Sequence, residues 1–138
     1  MRMPLLALAL TIPPVAAQAA PTAVGVWMSP TDHAQIDISA CGPALCGKVV
    51  SSGQITADPD IKDSRNKDAS LRSRKLRGLT ILKDFTGGPK VWKGGTVYDP
   101  KSGKVYSGSL TLLSADALKL TGCVVAPFCQ SETWTRAH

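Results

Sequence analysis

"VGVWMS", residues Val24–Ser29, decides the fold. It stands near the start of the expected mature chain, where ends ordinarily fray. A tryptophan gains much from burial, so a later segment has to close over Trp27. The stretch "TWTR", Thr133–Arg136, supplies that segment. In an up-and-down barrel the first and last strands are neighbours, and the Arg136 guanidinium can then lie over the Trp27 indole.

Between these two stretches helical periodicity is hard to find and short alternating runs are frequent. In "AQIDIS", Ile36 and Ile38 share one face while Gln35 and Asp37 share the other. The runs "LCGKVVSS", "GLTILK", "VWKGGTVY", "KVYSGSLTLL", "ALKLTG" and "QSETWTR" read the same way, rich in β-branched and aromatic residues. With "VGVWM" they make eight strand candidates. Turns separate them. In "DPKSG", Pro100 presets a type I turn and Gly103 supplies a left-handed residue. Glycines inside the runs (Gly47, Gly94, Gly95, Gly108, Gly122) suit sharp curvature or close backbone approach. The expectation is an all-β chain: a small up-and-down antiparallel β-barrel of about eight strands. One long charged loop, residues 52–75, interrupts it and carries a helical turn near Lys67–Arg72.

The opening "MRMPLLALALTIPPVAAQAAP" reads as a secretory signal peptide. Arg2 gives the positive n-region, Leu5–Ile12 an apolar core too short to span a bilayer, and Ala17-Gln18-Ala19 a small-x-small cleavage site. Residues 1–19 are thus expected to be removed after Ala19, leaving residues 20–138 as one domain. No cysteine follows the cleavage region, which argues against a lipid anchor, and the mature chain has no transmembrane segment. The expected location is periplasmic or secreted. Loss of Arg2 lowers the formal charge from +6 to +5, a basic balance suited to anionic partners. An exported domain without a binding motif is not expected to take nucleic acid.

Four cysteines form two close pairs, Cys41 with Cys46 and Cys123 with Cys129. Three connectivities are open. Rings this small contribute about 2 kcal/mol each, against about 4.5 for a long-range link, so energy does not select local pairing. Turn placement does, because each pair flanks a hairpin-like segment. The spacings are not those of zinc ribbons.

Catalytic signals are sparse. His33 and His138 lie in no motif, Glu132 is the lone glutamate, and no nucleophile elbow, P-loop or dinucleotide fingerprint is present. No nucleophile–base pair can be named, so an enzyme is not the expected class. No cofactor is implied. Asp58, Asp60 and Asp63 in "DPDIKD" lack the glycine and closing glutamate of an EF-hand and are crowded by cations; no metal site is expected. The strongest local signal is basic: Arg65, Lys67, Arg72, Arg74, Lys75 and Arg77, offset there by Asp68 alone. Arginine forks suit phosphate or carboxylate, which makes Arg72 and Arg74 candidates for an anion-binding rim. The competing expectation is a loop network in which Asn66 and Asp68 engage them. Trp92, Tyr98 and Tyr106 are candidate ligand contacts. Val97, Tyr106, Leu110 and Leu112, with Leu79, Ile81, Leu118 and Leu120, are expected to line a pocket or fill the interior.

Gly25-x-Trp27 together with Arg136 resembles the structural signature of lipocalins and their calycin relatives. The resemblance implies structural roles for Gly25, Trp27 and Arg136, with Trp134 beside them. The whole mature chain also resembles an exported bacterial domain-of-unknown-function family. The matching stretches are Gly25-x-Trp27, "LCGKVV", "NKDASLRSRKLRGLTIL", Trp92, "GGTVYDPKSGKVYSGSLTL" and the terminal "WTR". That family implies a lipocalin-like barrel and an envelope location, without an activity. "CVVAPFC" departs from the glycine-rich segment of many relatives. The functional expectation is a barrel that binds a small hydrophobic or amphiphilic ligand with an anionic head. The alternative is an envelope interaction module whose Arg-rich loop binds a protein, glycan or lipid head group.

Overall fold

Eight alternating segments become eight strands in a computed structural model that describes residues 9–15, 22–125 and 127–138. The expected cleavage site after Ala19 and most of the signal peptide lie outside the described residues. The strands are β1 (Gly25–Met28), β2 (Gln35–Cys41), β3 (Ala44–Ser51), β4 (Thr80–Gly87), β5 (Val91–Asp99), β6 (Lys104–Ser114), β7 (Ala117–Val125) and β8 (Phe128–Arg136). Each pairs antiparallel with the next, and β8 returns to β1 through Trp27 opposite Arg136. The barrel is closed, which removes both sheet edges.

Closure places Trp27 where the sequence requires it. The indole is fully buried and its Nε1 donates to the Ala23 carbonyl at 2.8 Å. Arg136 lies over the ring at 4.2 Å and donates to the carbonyls of Thr22, Val24 and Ala115. Gly25 is required there: its φ is +134°, and a Cβ would come within 2.6 Å of Arg136 Nη1.

Inward residues at this end fill the barrel. Phe85, Leu110, Leu118 and Trp92 pack with Trp27, Ile38 and Trp134 in one core. Phe85 needs the absence of a side chain at Gly95, where a Cβ would lie 2.5 Å from its ring. The Cys41–Cys46 disulfide pins the β2–β3 hairpin here, and Cys123–Cys129 pins β7–β8 at the opposite end.

The long loop is more ordered than its polarity suggests. It carries a short helix α1 (Gly53–Ala57), capped by Ser52 and absent from the sequence expectations, and a 3-10 turn at Ala69–Leu71, where a helical turn was expected. Ile55, Leu76 and Leu79 form a second apolar cluster with Val49, joined by Ile61, Ile81 and Tyr98. The loop is tied to two hairpin turns. Gly53 N donates to the Asp32 carbonyl at 2.9 Å, and Arg65 donates to the Lys101 carbonyl at 2.7 Å.

Candidate functional site

Filling is uneven along the barrel. At the end bearing Cys123–Cys129, the inward positions hold Val97, Asp99, Tyr106, Gly122, Gln130 and Glu132 rather than large apolar residues. Two adjoining hollows of about 560 and 330 Å³ result. Their walls share Val97, Asp99, Tyr106, Leu120, Gln130 and Glu132. The larger is bordered by Val124 and Phe128 of the β7–β8 hairpin. The smaller is lined by Ile36, Val49, Ile81 and Trp134 from the barrel and by Ile55 and Leu76 from the loop. The loop therefore folds partly over the opening and adds apolar wall.

Glu132 is the polar focus. It is half-buried on β8. Its carboxylate accepts from Ser29 Oγ at 2.7 Å, Thr31 Oγ1 at 2.9 Å and Trp134 Nε1 at 2.5 Å. These bonds fasten the β1–β2 turn to β8 and fix the indole against the cavity wall. The sequence presents Glu132 only as a lone glutamate beside Trp134. Two of its three partners, Ser29 and Thr31, lie more than a hundred positions away, with no local pattern to announce them.

The expected ligand contacts separate. Tyr106 lines both hollows and Tyr98 the smaller one. Trp92 is buried in the core at the opposite end, against Gly88 of the β4–β5 turn. Arg72 donates to the Asn66 carbonyl at 2.7 Å within its own loop. Arg74 pairs with Asp63 at 3.1 Å and lies 6.0 Å from the centre of the Tyr98 ring. None of these three lines either hollow.

Asp63, read in sequence as part of a weak calcium pattern, is the buried hub of the loop at 1% exposure. It accepts from Arg74, from Asn66 Nδ2 at 2.9 Å and from the Tyr98 hydroxyl. Burial, then the Asp63 carboxylate beside it, push the Tyr98 phenol up to about 12. Asp60 pairs with Lys75 at 2.9 Å, and that ammonium holds its carboxyl below the usual range. Among the described residues no group of three metal-ligating side chains converges. His33 and His138 are both exposed, and His138 lies 3.8 Å from the Asp116 carboxylate.

No helix among the described residues is long and apolar enough to cross a membrane, and the two disulfides fit an oxidising compartment. No curated protein matches the chain. Among solved structures it is similar to HP1028 of Helicobacter pylori, described as belonging to the lipocalin family. The two share 20% identity over 83% of this chain and 82% of that one, with a TM-score of 0.74. At that identity the likeness shows a lipocalin-like barrel and nothing of the contents. Over residues 25–136, from the first strand to the last, the chain matches the family described as "Uncharacterized protein conserved in bacteria (DUF2147)", and it belongs to that family.

Proposed function

We propose that this protein is an exported carrier that holds a small hydrophobic or amphiphilic molecule in the open end of its barrel. One observation carries the reading: adjoining hollows with apolar walls and a few convergent polar groups, at the end covered by the long loop. Such a combination is what small-ligand sites have in common. Export rests on residues 1–19 reading as a signal peptide and on the two disulfides. The anionic head expected from the Arg-rich loop has less support, because Arg72 and Arg74 are engaged within the loop and Lys101 is the one cation on the walls among the described residues.

Native mass spectrometry of protein purified from the cells that make it, followed by denaturing extraction, tests the carrier reading. A stoichiometric small molecule supports it. A clean apo mass, with no uptake of alkyl probes, sinks it.

A specific observation favours the second reading, a docking module of the envelope. Val124, Val125 and Phe128 at the β7–β8 hairpin are 73%, 62% and 74% exposed. Sedimentation with anionic lipid vesicles, lost in Phe128→Ser, would favour it. Failure to sediment at low salt counts against it.

A further inference from the structure

We propose that the cavity selects a ligand whose polar end is cationic, an ammonium or guanidinium group, with Glu132 as its counter-charge; this rests on the carrier reading.

The Glu132 carboxylate is held by three neutral donors, Ser29, Thr31 and Trp134. Two carboxylate oxygens offer about four acceptor sites, so one remains for an incoming donor. The ion pairs among the described residues involve Asp60, Asp63 and Asp116, and none reaches Glu132. A half-buried carboxylate against Ile36, Leu120 and Trp134, without a counter-ion, is costly to desolvate further. An apolar ligand with an anionic or neutral head adds to that cost. A cationic head offsets it and supplies the missing donor.

The remaining wall charges point the same way. Asp99 borders both hollows and Asp32 the smaller, against Lys101 alone among the described wall residues. Asp99 also accepts from Lys101 N and Ser102 Oγ, and Asp32 from Gln54 N, neutral donors that leave each negative charge in place. This acidic lining runs against a chain with a formal charge of +6. Four of its cations are engaged elsewhere: Arg74 with Asp63, Lys75 with Asp60, Arg72 with a loop carbonyl, Arg136 at the closed end. Tyr106 and Trp134 border the same hollow as Glu132, and aromatic faces attract organic cations.

Isothermal titration with octylammonium, octanol and octanoate at moderate ionic strength separates the two claims. The three probes share one chain, so octanol reads the apolar cavity and the charged pair reads the head-group preference. Octylammonium is expected to bind about tenfold more tightly than octanol, with octanoate weakest, as expected of a charge-assisted bond at a partly desolvated site. Glu132→Gln should erase the ammonium advantage, read as the ratio of octylammonium to octanol affinity on that variant. Should that variant fail to fold, Asp99→Asn and the wild-type ladder carry the test, with Asp99→Asn reducing the advantage by a smaller factor. Octanoate binding as tightly as octylammonium, or equal affinities for all three, overturns the cationic head and leaves the carrier. Absence of binding by all three overturns both.

Discussion

The two ends of one barrel are built from the same eight strands and do different work. At the closed end the inward positions are Trp27, Phe85, Trp92, Leu110 and Leu118, interlocked until Gly95 has to be bare to admit the Phe85 ring. At the open end the same strands turn inward Asp99, Tyr106, Gly122, Gln130 and Glu132, and space remains. Arg136 seals one end by spending its donors on carbonyls and its face on Trp27. Among the described residues no comparable plug fills the other. Small and polar residues at a barrel mouth are unfavourable for stability and favourable for a site, so the difference separates scaffold from binding surface along one axis.

Substitutions can break that division. The largest effect belongs to the closed end: Trp27→Ala should lose about 3–5 kcal/mol, the range for deleting a buried aromatic, read by urea unfolding. Asp63→Ala should lose about 2–3 kcal/mol by leaving Tyr98 and Asn66 without their acceptor; Arg74, partly exposed, recovers water and limits the loss. Removing either disulfide should cost about 2 kcal/mol, since the rings are of similar size. The pair should then diverge, with octyl-probe binding weakened by loss of Cys123–Cys129 and untouched by loss of Cys41–Cys46. Arg72→Ala should cost about 1 kcal/mol, the worth of an intramolecular hydrogen bond, without changing probe affinity. A large affinity loss there would return the loop arginines to the site.

Tyr98 gives a pH test of the loop that joins the two regions. Its phenol is held protonated in the fold up to about 12, against an ordinary 10.0. The folded state therefore keeps a proton that the unfolded chain releases first. Its stabilisation is complete below pH 10 and declines as pH rises from about 10 to about 12. Tyr98→Phe should flatten that decline in urea melts across the window.

The closed end was legible in the sequence, and of the open end part of the wall was, since Val97, Ile81, Leu120, Tyr98 and Tyr106 line the hollows; its polar contacts were not. Gly25, Trp27 and Arg136 announce themselves because a terminal tryptophan needs a cover and the barrel leaves one strand to provide it. Strand alternation and turn chemistry located all eight strands, and turn placement identified both disulfides. The open end depends on contacts distant in sequence: Ser29 and Thr31 with Glu132, Tyr98 with Asp63, Arg65 with Lys101. A basic run looks like an anion rim when its partners are out of view. Folded, its arginines are absorbed by carbonyls and a buried carboxylate. Helix α1 escaped for the same reason, since its five residues bury only Ile55 and show no period.

The division between the two ends stands or falls on Gly122. A Cβ there would meet its nearest neighbour, Tyr106, at 3.6 Å, an ordinary contact, and Gly122 borders the larger hollow, so Gly122→Leu adds bulk to that wall. Native mass spectra of wild type and Gly122→Leu, purified side by side from the cells that make them, test the claim directly. The expected result is a small molecule on the wild type, none on the variant, and the same unfolding midpoint for both once the wild type has been stripped of its load, since a bound ligand itself raises the midpoint. An equal load on the two proteins would contradict it.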